Sequence, residues 1–308
     1  MKINTRTNNN TIEGIDLLRG IAIILMIITH ATRLLLTKIN KSDLSVIYNF
    51  FLNIEPFTSS LFLFLAGIGI YYSNKFTKLN HKEWLLSNFK KAIVLYIIGV
   101  VFFITEYQVI TMDTFLSPSI LSVIALAICS NMIIIRSSLW LKSASLVLIL
   151  AIYHLFSQES ISGFNAGPGG AFPLIGFTTL GIISAELKEK NIKALLSMIL
   201  LSSIFWFISE PFTQSFVSNY GDLRVSFWNH SLAGFLKLIP LLSASFIFCF
   251  NLKNYFLSTL GRNSLFCYIF HLVILAILFK LEIIPKSTEQ LTGLILLLIA
   301  SCYVIKKS

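Results

Sequence analysis

Apolar residues run through the chain in long blocks separated by short polar segments. The blocks lie at roughly 15–36, 57–73, 89–106, 116–135, 138–156, 172–187, 191–209, 231–250, 264–281 and 290–305. A helix that crosses a bilayer needs about 20 mostly apolar residues. Each block therefore predicts a membrane-spanning helix, and the fold class expected is all-α, a polytopic membrane bundle of about ten transmembrane helices. The blocks 172–187 and 191–209 are parted only by Glu186–Asn191. The segments between blocks are too short for a separate soluble domain. The expectation is one integral-membrane domain over 1–308, with 1–14 as a short cytoplasmic tail.

Composition sharpens this reading. The chain of 308 residues is 56% hydrophobic and 12% charged, whereas soluble domains carry about 25% charged residues. That excludes a cytosolic enzyme, a disordered protein and a secreted disulfide scaffold. The net charge of +10 is scattered between apolar runs, which points to topology rather than to nucleic acid. With the N-terminus in the cytoplasm, 16 Lys and Arg fall on the inner side and 6 on the outer. Positive charge favours the cytoplasmic side, so both termini are expected inside. Cys129, Cys249, Cys267 and Cys302 lie in apolar segments without metal-ligand spacing; free thiols and no metal are expected. The first apolar run follows Asp16 and Arg19 and has no small-residue cleavage site after it, so it is expected to be retained. No internal repeat is evident, which disfavours inverted-repeat transporters.

Polar residues inside spans are costly and usually face a bundle interior or a watery cavity. The first span holds Asp16, Arg19, His30 and, at its end, Arg33. Asp16 and Arg19 stand at i, i+3 and share a face. Arg19 and His30 are 11 residues apart, about 20° short of three whole turns and about 16 Å along the axis. Two readings stand. Asp16 at a helix start, with Arg19 and Arg33 snorkelling to the two headgroup layers, explains three of the four groups without any function. The stripe is otherwise a functional face with His30 near the outer side.

In the ninth block, Ser264, Cys267, Tyr268 and His271 follow one helical face. His271 there is either a helix–helix hydrogen-bonding group or a reactive one. His81 and His154 carry no special pattern. The segment Asn74–Lys91 has five Lys and one Glu, suited either to anionic lipid or to docking a phosphorylated cytosolic donor. The stretch Gly163–Gly170 lacks the GK[ST] ending of a phosphate loop and reads as a flexible or re-entrant loop. The outer segment with Asn219, Asp222, Arg224, Trp228 and His230 suits a glycan, and equally any interfacial loop.

Ile15-Asp16-Leu-Leu-Arg19-Gly20, running on to Thr29-His30, resembles the opening helix of the transmembrane acyltransferase superfamily. Within it the chain is most similar to the heparan-α-glucosaminide N-acetyltransferase-like membrane proteins, with acyltransferase type 3 as a cousin. The Arg-x10-His interval of Arg19 and His30 carries the resemblance. Pro56–Gly69, Lys90–Gly99, Phe172–Gly181 and Leu260–His271 extend it in order, so that it covers about 12–275.

The resemblance implies a membrane acyltransferase. An acyl group, usually acetyl, would pass from cytosolic acyl-CoA to a sugar hydroxyl or amine on the far side of the membrane. It implies His30 as the base or transient acyl carrier, Asp16 orienting Arg19, and Arg19, Lys90 and Lys91 receiving the phosphates of acetyl-CoA. His271, Arg262 and Asn263 would bind the donor or position its carbonyl. Lys91 stands where the family usually has Arg, and residues 31–80, where the heparan branch places its catalytic His, contain none. There is no large outer domain, and the many Ile, Asn and Lys imply an AT-rich bacterial gene. The expected acceptor is therefore a cell-envelope glycan or lipid-linked sugar, and the expected location is the bacterial cytoplasmic membrane. Partners expected are acyl-CoA, the acceptor and membrane lipids, with a homodimer left open and no nucleic acid. Two other classes compete: a transporter or flippase for a polyprenyl-linked or small anionic substrate, and a structural or regulatory membrane subunit.

Overall fold

A computed structural model describes residues 5–36, 45–107, 115, 119–155, 171–209 and 232–307, apart from 284 and 286. Among them are eleven helices and no strand: α1 (Thr5–Leu36), α2 (Ser45–Phe76), α3 (His81–Tyr107), α4 (Ile120–Ile134), α5 (Leu139–Leu155), α6 (Ala171–Lys190), α7 (Ile192–Ser209), α8 (Leu232–Cys249), α9 (Tyr255–Arg262), α10 (Ser264–Lys280) and α11 (Thr288–Lys307). Among the described residues, each apolar block coincides with a helix. The close pair at 172–209 is two helices, parted by Asn191 alone, whose Oδ1 accepts the Ala194 N–H at 3.1 Å and so caps α7.

Among the described residues, three stretches are long and apolar enough on their own to cross a membrane: Glu13–Thr32, His81–Phe102 and Thr288–Ile305. The pair α9 and α10 passes the same test when taken together, but is bent by 79° between its two parts. Four more apolar helices are shorter. Trp140 and Phe207 are 76% and 83% exposed. Outward-facing side chains of that size fit a protein whose solvent is lipid.

Helix limits differ from the apolar blocks in four places. Helix α1 reaches back to Thr5, α2 to Ser45 and α3 to His81, into segments expected to lie outside the spans. Polar residues such as Asn49, Asn53, Glu55 and Asn88 lower mean hydropathy without stopping a helix. The fourth difference is α9, a separate helix of eight residues. Asn254 caps its start, accepting the Leu257 N–H at 3.0 Å, and the chain turns at Asn263.

The chain divides into two compact units, Met1–Thr58 with Ser245–Ser308, and Ser59–Ala244. In the second unit α2 and α6 meet at glycines: a methyl on Gly67 would strike the Thr178 carbonyl, and one on Gly181 the Phe64 carbonyl. Ile70, Trp84, Met132, Ile135 and Ile182 form a buried cluster. An Asn80–Glu83 capping box starts α3, with Oδ1 of Asn80 2.9 Å from the Glu83 N–H and the return bond at 3.2 Å. The four cysteines are free thiols.

The second unit also holds a buried ion pair. Lys142 Nζ on α5 donates to Glu186 Oε2 on α6 at 2.6 Å, and Lys190 Nζ donates to Oε1 at 2.6 Å. Both side chains of the Lys142–Glu186 pair are under 5% exposed. Removing one partner from such a pair leaves a buried charge uncompensated, at a cost of about 3–5 kcal/mol. Lys190 still compensates Glu186 when Lys142 is lost. Strong destabilisation is therefore expected for Glu186→Leu, which strands the buried Lys142, and a much smaller one for Glu186→Leu with Lys142→Met, measured by denaturant unfolding in detergent. Equal losses in the single and double variants would contradict the pairing.

Candidate active site

The first unit brings together α1, α9, α10 and α11, and most of the candidate residues lie on the first three. Helices α1 and α9 touch backbone to backbone. A methyl on Gly20 would fall on the Leu257 carbonyl, and one on Gly261 on the Asp16 carbonyl. Glycine is required at both positions because no side-chain rotation can relieve a clash between main chains. The Ser258 hydroxyl adds a bond to the Glu13 carbonyl at 3.3 Å.

This contact sets the lower station of the site. Asp16 is buried, and its Oδ1 accepts from Arg19 Nη1 at 3.0 Å. The Arg19 side chain keeps 32% of its surface exposed. One face of the guanidinium is thus tethered while the rest stays accessible. Arg262, at the end of α9, is exposed and donates to Thr259 Oγ1 at 3.3 Å. Asn263 donates its side-chain amide to the Thr259 carbonyl at 2.9 Å, and its backbone N–H reaches the Leu260 and Thr259 carbonyls. Its amide therefore closes the end of α9 at the bend.

Further along α1, His30 meets α10. Nδ1 of His30 and Nε2 of His271 are 2.9 Å apart. The two rings lie nearly parallel, with 5.2 Å between centroids and 19° between planes. Tyr268 packs its ring edge-to-face against both, at 6.2 Å from His30 and 5.6 Å from His271. His271 is wholly buried, and its Nδ1 lies 2.7 Å from the Cys267 carbonyl. His30 is only partly buried.

Two contacts give the relative direction of the helices. Gly261 lies against Asp16, and His271 against His30, so α1 and α10 run the same way. Along α1 the ion pair and the imidazole pair are about 16 Å apart by helical rise.

The other expected residues lie elsewhere or outside the description. Lys90 and Lys91 sit on α3 in the second unit, both exposed. Arg33 is on the last turn of α1 and His154 on α5, but their side chains are outside the described residues, as are 163–170 and 219–230. Among the described residues no three His, Cys, Asp or Glu are grouped to hold a metal. Sequence reasoning did not foresee α9, the His30–His271 bond, or the buried Lys142–Glu186 pair. The i, i+4 spacing of Glu186 and Lys190 was the one local trace of that last cluster.

Apolar helices of membrane-spanning length, a carboxylate-anchored guanidinium and a paired imidazole together define an integral membrane protein with a polar site inside its helices. The family model for the catalytic domain of heparan-alpha-glucosaminide N-acetyltransferase matches residues 12–209. The chain belongs to this family of membrane acetyltransferases. The match contains Asp16, Arg19, His30, Lys90 and Lys91, while Arg262, Asn263 and His271 follow it. No curated protein matches the sequence.

Proposed function

We propose that this protein moves an acyl group, acetyl foremost, from cytosolic acyl-CoA to a sugar hydroxyl or amine of a cell-envelope glycan or lipid-linked sugar on the outer side of the bacterial cytoplasmic membrane. The chain acts as one domain over 1–308, with about ten crossings, both termini cytoplasmic and 1–14 on the inner side. The common direction of α1 and α10 supports this topology. They would be the first and ninth of alternating crossings.

The observation that carries the reading is α1 itself. Inside the match to an acetyltransferase catalytic domain, one helix sets an anchored guanidinium at one depth and a hydrogen-bonded imidazole at another. Arg19, oriented by Asp16, receives phosphate of the donor at the cytosolic end, with Arg262 and Asn263 close to the same turn of α1 as further donor contacts. Lys90 and Lys91 belong to the basic segment that draws the anionic donor to the membrane surface. The pantetheine arm carries the thioester toward His30. His30 takes the proton of the acceptor as its oxygen or nitrogen bonds the acyl carbon. The carbon–sulfur bond breaks, and the proton passes to the departing thiolate.

The purified protein, given acetyl-CoA and a panel of sugars, should release free coenzyme A only when an acceptor is present. Sugar movement across vesicles without coenzyme A, and no thiol release, would replace this reading with the transporter. Arg19→Gln should raise KM for acetyl-CoA about 10- to 100-fold, since a hydrogen bond to a charged group contributes about 1.5–3 kcal/mol. Its kcat should change little. An unchanged KM would remove Arg19 from the donor site.

A further inference from the structure

We propose that His271 is a positioning residue that fixes the tautomer of His30, so that Nε2 of His30 is the nitrogen that receives the acceptor's proton. The inference deepens the acyltransferase reading and rests on it for its catalytic meaning. The tautomer assignment itself stands on hydrogen-bond geometry alone.

The chain of bonds starts at the backbone. The Cys267 carbonyl, 2.7 Å from Nδ1 of His271, can only accept. Nδ1 of His271 therefore carries the hydrogen. In a neutral ring Nε2 is then the acceptor. The 2.9 Å contact between that Nε2 and Nδ1 of His30 needs one hydrogen, and only His30 can supply it. His30 is thus held as the Nδ1–H form, with its lone pair on Nε2. Free neutral histidine prefers the opposite form, so the protein reverses the usual choice.

The anchor is local and hard to displace. Cys267 lies one turn before His271 on the same helix, so α10 orients its own histidine. Tyr268 packs edge-on against both rings and fixes their planes. His271, wholly buried, acts on the reaction through its partner. When the acceptor's oxygen or nitrogen bonds the acyl carbon, its proton goes to Nε2 of His30. The imidazolium formed keeps its Nδ1–H on His271, and this bond strengthens as it becomes charge-assisted. As the carbon–sulfur bond breaks, the proton leaves Nε2 for the thiolate, and both rings return to their starting forms. A second histidine here holds the tautomer, the part a buried carboxylate takes in Ser-His-Asp triads.

The test is nitrogen NMR of the full chain in lipid nanodiscs, with ¹⁵N-labelled histidine. His30→Asn and His271→Gln assign the two rings. Both rings in the Nδ1–H form, with coupling across the shared bond, is the expected result. In His271→Leu, His30 should revert toward the Nε2–H form, and kcat should fall about 10²- to 10⁴-fold with KM for acetyl-CoA nearly unchanged. His271→Gln places an amide oxygen near the lost Nε2, and should restore the tautomer and kcat to within about tenfold of wild type. A His30 ring protonated at Nε2 in the wild type overturns the proposal, whether or not either variant folds. So does a His271→Leu protein that turns over like wild type. A wild type with both rings in the Nδ1–H form and no acyl transfer leaves the tautomer lock standing and brings down the acyltransferase reading.

Discussion

Replacing His30 with asparagine is expected to lower acyl transfer about 10²- to 10⁴-fold, the usual contribution of a positioned acid–base group. Asparagine keeps a short polar side chain on α1 and can still hydrogen bond, but it cannot take up a proton. His30 is partly rather than wholly buried, so the substitution opens no large cavity. The folded protein should therefore survive, with the same elution from a sizing column and the same melting temperature within a few degrees. Steady-state kinetics with saturating acetyl-CoA would show the loss in kcat. A variant with full turnover would remove His30 from the chemistry.

The second large effect concerns stability. Gly20→Ala puts a methyl on the Leu257 carbonyl, and Gly261→Ala puts one on the Asp16 carbonyl. Overpacking ordinarily costs about 1–3 kcal/mol, and these contacts are between main chains that cannot rotate aside. Each variant should sit at or above the top of that range, and Gly20→Leu should fail to fold. Gly293 on α11 provides the contrast, because a methyl there meets nothing within 4 Å. Gly293→Ala should stabilise by about 0.5–1 kcal/mol through helix propensity. Chemical unfolding in detergent distinguishes the two cases. A Gly20→Ala protein as stable as wild type would contradict the close approach of α1 and α9.

Much of the architecture was legible before any coordinates. The apolar blocks located ten of the eleven described helices, and the stripe from Asp16 to His30 marked the helix that carries the candidate site. Hydropathy averages over a window, however, and polar residues do not by themselves end a helix. That is why α1, α2 and α3 start before their apolar blocks. Helix α9 escaped for the opposite reason: it mixes Ser258, Thr259, Gly261 and Arg262 with apolar residues over only eight positions. Its existence depends on the Asn254 cap and on packing against Gly20, and neither has a hydropathy signal.

The site was half legible. Asp16 and Arg19 are one turn apart, and local spacing sufficed to pair them. His30 and His271 are 241 residues apart, and a single sequence carries no sign that two such positions meet. Each was identifiable alone as an expensive residue in an apolar helix, and the shared expense is explained by their hydrogen bond. Lys142 looked like an ordinary inner-side lysine, yet its partner Glu186 lies 44 residues away on another helix. Burial converts such a charge from a topology marker into a structural element.

The most direct measurement of the central claim uses proteoliposomes with the protein in one orientation. Acetyl-CoA carrying a labelled acetyl group is supplied on the side of the N-terminus, and the acceptor sugar only on the other. Label should appear on the sugar, with free coenzyme A released on the donor side in equal amount, and His30→Asn should abolish both. Sugar that crosses unlabelled, or label that never reaches the far side although the wild type is folded, would contradict the account.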